Sequence, residues 1–141
     1  MAEIRRQDTA SIATLTPCPA HVITGLLAGE DLPKGAFVYI THASGVPKVM
    51  LADGSAADAE AKAIGVAAEW TASGEACTIH RGVRYRWCKK TADGGPNPGT
   101  YLYLSGTNEG ELADAASTGG TLPIAFVVDD QGRIQLVGMC G

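Results

Sequence analysis

GAFVYIT at residues 35–41 and GTYLYLS at residues 99–105 are near copies of one another. In both segments a glycine opens the run, aromatic and aliphatic residues follow in alternation, and a hydroxyl residue ends it. Alternation with a period of two is typical of a β-strand. The repetition predicts two related β units in one chain, so this pair of strands decides the fold.

Three further pairs of segments recur in the same order. They are LAD at 51–53 and 112–114, AIGVAAE at 63–69 with PIAFVVD at 123–129, and SGEACTIHRG at 73–82 with QGRIQLVG at 131–138. Matches that keep their order along the chain indicate an internal duplication. Each unit is too small to bury its own apolar face, so we expect the two units to close a common core.

The rest of the sequence predicts an all-β fold, a small barrel or sandwich built from these two units. Short β-branched runs separated by Gly, Pro, Asn and Asp are typical of such folds. Residues 21–141 are predicted to form a single β domain, with its first half at about 21–88 and its second half at about 99–141. Residues 54–63 favour the one short helix that the pattern permits.

Residues 1–20 are predicted to form an extended N-terminal arm. Pro17 and Pro19 disfavour both a helix and a central strand there. The apolar residues of the arm are broken by polar ones, so we expect no signal peptide and synthesis in a cytoplasm.

Strand alternation divides the repeated segments into two faces. The aliphatic face is predicted to be core, and it holds Val38, Ile40, Leu102 and Leu104. The tyrosine face is predicted to point outward or toward another subunit, and it holds Tyr39, Tyr101 and Tyr103. An apolar ring with a polar tip suits an interface, but aromatic pairs also stabilise a sheet without any partner.

Composition and charge argue against two classes of partner. The 141 residues include 11 basic and 15 acidic side chains, a formal net charge of −4, and no large basic cluster. A nucleic-acid binder is expected to carry such a cluster. Spanning a membrane as a helix takes about 18 uninterrupted apolar residues, and the sequence has no such run. We therefore predict neither a nucleic-acid nor a membrane partner.

Four cysteines invite either a disulfide or a metal interpretation; they are Cys18, Cys77, Cys88 and Cys140. The chain is long enough to fold on a core and contains no C-x-x-C pair, so we expect buried free thiols. Cys77 and His80 are the one close-set pair, and their spacing of three puts them on opposite faces of a strand. We predict no metal and no cofactor.

Catalytic motifs of the common hydrolase, nucleotide-binding and metalloprotease types are absent from the sequence. A triad assembled in space from His21 or His80 would still make a small hydrolase. The acidic residues fall almost wholly in turns, where solvation explains them. The sequence therefore predicts a protein that is not an enzyme, with a small hydrolase as an alternative.

One stretch of sequence suggests a binding surface. Arg84 and Arg86 alternate with Tyr85 and Trp87, close after Arg81. A sugar or an anionic partner would suit this combination, and Arg and Trp are common anchors of protein interfaces. The plainer interpretation is the solvent face of one strand.

The phrase HVITGLLAGEDLPKGAFVYIT at residues 21–41 resembles the phage capsid decoration proteins, also called head cement proteins. The chain follows the order of phrases in that family, with V-x-L-A-D, I-G-V-A and S-G-E-x-x-T in the first half. The second half continues with L-Y-L-S, G-x-L and P-I-x-F-V. The resemblance covers residues 20–141 and rests on structural glycines and strand residues.

The resemblance implies a non-enzymatic virion protein on the capsid exterior. Such a protein binds the major capsid protein and locks neighbouring capsomers together, usually as a homotrimer. We expect contacts with the capsid or a second subunit through Ile4, Arg5, Arg6 and Ile12 of the arm and through Tyr39, Arg84, Arg86, Trp87, Tyr101 and Tyr103. The arm would become ordered by adding a strand to a capsid or neighbouring edge. The alternative function is a carbohydrate- or receptor-binding module of a phage tail or fibre.

Overall fold

The computed structural model describes residues 3–4, 6–12, 21–42, 45–55, 62–81, 84–88, 97–128 and 133–136. These residues form β-strands and turns and include no helix. The strands are β1 (Glu3–Ile4), β2 (Arg6–Ile12), β3 (His21–Ala28), β4 (Phe37–Thr41), β5 (Lys48–Leu51), β6 (Gly65–Ala67), β7 (Ala76–Arg81), β8 (Arg84–Cys88), β9 (Tyr101–Leu104), β10 (Leu112–Ala113), β11 (Ala125–Val127) and β12 (Arg133–Leu136). The all-β prediction is confirmed, while most of the predicted helix, residues 56–61, lies outside the described residues.

The first half of the chain closes into a five-stranded barrel. Its strand order is β3-β5-β4-β6-β7. The strand β3 pairs antiparallel with β7 and parallel with β5, which joins the two ends of the sheet. Closure leaves no free sheet edge in this half.

The second sheet is antiparallel and has the order β1-β10-β9-β11-β12-β8-β2. The strand β8 pairs with β12 in this sheet, although its residues fall in the range predicted for the first half. The strands β1 and β2, which belong to the predicted arm, pair with β10 and β8 at the two edges. Part of the predicted arm therefore adds strands to this chain's own sheet.

The duplication predicted from the sequence is confirmed by strand order and register. The order β5-β4-β6-β7 in the barrel is repeated as β10-β9-β11-β12 in the second sheet. Phe37 pairs with Val66, and their counterparts Tyr101 and Phe126 pair with each other. The two copies thus keep the strand order and this register, while Leu51 pairs with Val38 and its counterpart Leu112 pairs with Leu104, two residues further along. Only the first copy is closed by pairing between β3 and β5.

Two clusters of buried side chains hold this arrangement. The barrel core consists of Ala28, Leu32, Val38, Val49, Ala67, Cys77 and Ile79. The shared core lies between the barrel and the second sheet and consists of Phe37, Tyr39, Ala52, Val66, Leu102, Leu104, Leu112, Ala125, Val127 and Ile134. Because the shared core draws on both halves, burial of apolar area couples the two repeats.

The predicted faces are right for the second copy and partly wrong for the first. Leu102 and Leu104 are buried as predicted, and Tyr101 is exposed. Tyr39 was expected to point outward, but it is 8% exposed and belongs to the shared core. Ile40 was expected in the core, but it is 39% exposed. Tyr39 is buried because both faces of β4 are covered near its start: Val38 packs in the barrel core, and Phe37 and Tyr39 pack in the shared core. Ile40 lies beyond both cores.

Glu30 completes the seam that closes the barrel. The parallel pairing of β3 with β5 covers two residue pairs, and Gly29 N then donates to Val49 O at 2.8 Å. One step further, the Glu30 carboxylate accepts a hydrogen bond from Leu51 N at 3.0 Å. The side chain therefore takes the place of a backbone carbonyl where the ladder ends.

Glu30→Ala is expected to lower the free energy of unfolding by about 1–3 kcal/mol, because it leaves the partly buried Leu51 N–H without its acceptor. Glu30→Gln keeps a side-chain oxygen and should cost less. Urea unfolding followed by tryptophan fluorescence measures both changes, with the exposed Glu69→Ala as a control that should stay within about 0.5 kcal/mol of the parent. Equal stability of the Glu30→Ala and Glu69→Ala proteins would refute the seam role.

Candidate interaction surfaces

The outer face of the second sheet gathers aromatic and arginine residues from separate strands. Along one cross-strand row, Tyr101 pairs with Phe126, Phe126 with Gln135, and Gln135 with Arg84. In the next row Arg133 pairs with Arg86. Cross-strand partners share a face. We call this surface, made of Tyr101, Phe126, Arg133 and the positions of Arg84 and Arg86, the aromatic–arginine face.

The aromatic part of this face is exposed. Tyr101 is 55% exposed, and its ring lies edge-on to that of Phe126, with ring centroids 6.2 Å apart and an interplanar angle of 60°. This T-shaped geometry is the favoured one for aromatic pairs. The opposite sides of the same strands carry the buried residues Leu102, Ala125 and Ile134. The sheet is therefore apolar toward the shared core, and the described residues Tyr101, Phe126 and Arg133 lie on its other side.

A second surface lies at the end of the barrel formed by residues 29–36, 52–55 and 68–75. Leu32 N donates to Thr71 O at 2.8 Å and Thr71 N donates to Leu32 O at 3.0 Å, which joins two of these loops. Gly110 N donates to Ala52 O at 2.7 Å, which brings the loop after β9 to the same place. We call this surface the acidic end.

Carboxylates dominate the acidic end. Among the described residues it carries Glu30, Asp31, Asp53, Glu69, Glu75 and Glu109, against the basic Lys34. Trp70 lies in the same loop as Glu69 and is 60% exposed.

A cavity of about 220 Å³ opens at the acidic end and is lined by Glu30, Tyr39, Met50, Leu51, Asp53 and Glu109. Of its carboxylates, Glu30 is committed to Leu51 N, and one oxygen of Asp53 accepts from Ser55 N at 2.9 Å and from the Ser55 hydroxyl at 2.7 Å. Within the described ranges, no group of three or more His, Cys, Asp and Glu side chains is arranged to hold a metal ion. The carboxylates Glu30 and Asp53 thus serve local structure.

The structure brings together some of the predicted contact residues and separates others. The sheet register places the positions of Arg84, Arg86 and Tyr101 on the same face of the second sheet, and the position of Arg6, the Cα partner of Cys88, belongs to that face as well. Tyr103 is half-buried and pairs with Ala113. Each of these residues is a predicted contact whose role in binding stays a prediction.

Other predicted contact residues occupy different rows. Ile4 is the Cα partner of the buried Leu112, and Ile12 is the partner of Tyr85, which pairs with the buried Ile134. Trp87 alternates with Arg86 along β8, so its position belongs to the face of Tyr85. The sheet register thus places these positions on the side of the shared core, while Arg5 lies outside the described residues.

Arg81 does not belong to the aromatic–arginine face. It lies on β7 in the barrel, and its Nε donates to Ile64 O at 2.8 Å. His80, the neighbouring candidate for a hydrolase, sits in a row between Val22 and Val66, and its Nδ1 is buried without a hydrogen-bond partner. Its ring is therefore flanked by aliphatic residues within its row. His21 has no described side chain.

Cys77 is a buried free thiol, as predicted, and its Sγ donates to Leu26 O at 3.3 Å. Burial raises the pKa of this thiol. A raised pKa keeps the sulfur protonated at neutral pH, when it is neither a nucleophile nor a metal ligand. The side chains of Cys18, Cys88 and Cys140 lie outside the described part of the chain.

Comparison with protein-family models, with curated proteins and with solved structures gives no match. Among the described residues there is also no helix long and apolar enough to cross a membrane. The aromatic–arginine face therefore has to be interpreted from its own chemistry and from the resemblance of the repeated phrases. Phe126, Arg133 and Trp70 were not predicted as contact residues from the sequence. Two signals pointed to them: Phe126 is an aromatic residue in an otherwise aliphatic strand, and Trp70 stands next to a predicted turn.

Proposed function

We propose that this chain is a non-enzymatic virion protein that binds the outside of a mature phage capsid and clamps neighbouring capsomers together. The observation that carries the proposal is the aromatic–arginine face, a sheet surface rich in the residue types that anchor protein interfaces. The phrases that resemble the decoration proteins supply the class of partner. Their positions fall on the strands and turns of both repeats, including the seam residue Glu30.

The physical action of such a protein is a linkage effect. A protein that binds the assembled shell and not its separate subunits stabilises the shell according to its concentration and affinity. Contacts with several capsomers at once raise the overall affinity, so each contact surface can be modest in area. Two separate surfaces, one with the exposed Tyr101 and Arg133 and the other with the exposed Glu69 and Glu75, are suited to contacts with more than one neighbour.

The proposal is tested by mixing purified protein with expanded phage heads that lack it and pelleting the heads. We expect saturable binding, and heads that release their DNA at a higher temperature when the protein is bound. Unassembled capsid subunits are the matched control and should bind far more weakly. Absence of binding to heads, or equal binding to heads and separate subunits, would overturn the proposal.

The alternative, a carbohydrate- or receptor-binding module of a phage tail or fibre, is favoured by one observation. Tyr101 presents an exposed ring beside Phe126, and Arg133 lies on the same face. Aromatic faces and guanidinium groups are suitable for binding sugars. A glycan array read with the parent and the Tyr101→Ala protein separates the two proposals, because silence of the parent protein excludes the sugar-binding one.

A further inference from the structure

We propose that the end of the barrel opposite the acidic end docks on a capsomer and takes an aliphatic segment flanked by carboxylates. The inference rests on the proposed function and adds which end of the barrel meets the shell. The start of β3, the turn between β4 and β5, the start of β6 and the end of β7 come together here, because the acidic end holds the loops that follow β3, β5 and β6. We call this surface, formed by residues 22–23, 40–42, 45–48, 62–64 and 80–81, the basic end.

The charged residues of the barrel are divided between its two ends. Lys48 begins β5, Lys62 precedes β6, and Arg81 ends β7, where its Nε donates to Ile64 O at 2.8 Å. Within the described residues of the basic end there is no aspartate or glutamate, and the described carboxylates of the barrel lie at the acidic end. This division favours a negatively charged partner for the basic end.

Aliphatic side chains reach the surface at the basic end. Leu32 covers the barrel core at the acidic end and is 0% exposed. At the basic end, Ile40 is 39% exposed and Val46, in the turn between β4 and β5, is 49% exposed. Ile23 and Ile64 pack against the barrel core and are partly buried. The barrel core is therefore covered at one end and accessible at the other, so a partner segment can bury apolar area there.

The composition of the basic end favours a protein partner over a lipid surface or a nucleic acid. Anionic membranes are typically bound by clusters of about 4–8 lysine and arginine residues. The described residues of the basic end include three, with no Phe, Tyr or Trp on which a base could stack. An aliphatic centre with cations around it suits a protein segment that carries aliphatic and acidic side chains.

Docking through the basic end sets the orientation of the barrel on the shell. The acidic end then points away from the bound capsomer, because the two surfaces lie at opposite ends of one closed barrel. Carboxylates on the capsomer attract the basic end and repel the acidic end. The division of charge thus favours one of the two orientations.

Binding of the full chain to expanded heads, measured by pelleting, tests the charged component. A variant that carries Lys48→Glu and Lys62→Glu should bind at least about tenfold more weakly than the parent, because like charges then face each other. Lys34→Glu is the matched control, since it changes the charge of an exposed lysine at the acidic end. It should bind within about twofold of the parent, because salt screens charges that lie more than about 10 Å apart.

Val46→Asp tests the aliphatic component and should weaken binding by about tenfold, whereas Val46→Leu keeps an apolar side chain and should bind like the parent. Far-UV circular dichroism checks that every variant keeps the fold. Flotation with phosphatidylglycerol vesicles tests the lipid alternative, and we expect the parent not to float.

Three results would overturn the inference while leaving the proposed function intact. The first is a Lys48→Glu and Lys62→Glu protein that binds heads like the parent. The second is an equal loss of binding in the Lys34→Glu control. The third is flotation of the parent that the two substitutions abolish, which would assign the basic end to a lipid surface. A parent that does not bind heads would overturn the proposed function together with the inference.

Discussion

Phe37→Ala is expected to lower the free energy of unfolding by about 3–5 kcal/mol, the cost of deleting a fully buried aromatic side chain. Phe37 is 0% exposed and lies in the shared core beside its cross-strand partner Val66. Its removal leaves a cavity between the barrel and the second sheet, where backbone hydrogen bonds hold both sides in place. Phe37 N donates to Gly110 O at 3.0 Å, and Phe37 O accepts from Ala52 N at 2.9 Å.

The duplication supplies a matched control for this substitution. Tyr101 occupies the same place in the second repeat and has the same cross-strand register, but it is exposed. Tyr101→Ala should cost about 1 kcal/mol or less, mainly from the lost contact with Phe126. Urea unfolding followed by both fluorescence and circular dichroism measures the two changes. Equal losses in the two variants would contradict the assignment of the shared core.

Gly65→Ala is the second substitution with a large expected effect, a loss of about 3 kcal/mol from overpacking. A Cβ at Gly65 would lie 2.6 Å from His80 O and 2.8 Å from Ile79 Cγ2. A backbone oxygen of a paired strand cannot move away without breaking the ladder between β6 and β7. The counterpart in the second repeat is Ala125, where the chain carries the methyl group that Gly65 lacks.

Gly106→Ala serves as the control for Gly65→Ala. The nearest atom to a Cβ at Gly106 is Ser117 Cβ, at 3.2 Å, and the next are at 3.7 Å. This change should alter the free energy of unfolding by about 1 kcal/mol or less in either direction. The two variants are compared by urea unfolding under identical conditions. A Gly65→Ala protein as stable as its parent would contradict the close approach of β7 to Gly65 on which this prediction depends.

Strand positions and the duplication could be predicted because they depend on local signals. Alternation in FVYIT and TYLYLS marks the strands, and the ordered matches give the repeated strand order that the structure shows. The faces of β4 could not be predicted in the same way. Alternation tells which residues share a side, but Tyr39 is buried because the second sheet covers the outside of the barrel, and that packing joins residues far apart in the chain.

The interaction surfaces were predictable only in part. Arg84, Arg86 and Tyr101 could be singled out by residue type, but that their positions share one sheet face depends on the order β9-β11-β12-β8. Phe126 lies on β11 and Arg133 on β12, so both belong to this face because of the same strand order. The acidic end could not be foreseen, because its carboxylates appear in separate turns that come together only when the barrel closes. The capsid partner rests on the resemblance of the repeated phrases.

The central claim is that this chain bridges neighbouring capsomers on the outside of a phage head. The most direct measurement is a cryo-electron microscopy reconstruction of expanded heads with and without the added protein. The proposal predicts extra density on the outer surface that touches at least two capsomers and into which the barrel and second sheet can be fitted. Heads that show no added density, or density that touches a single capsomer, would contradict it.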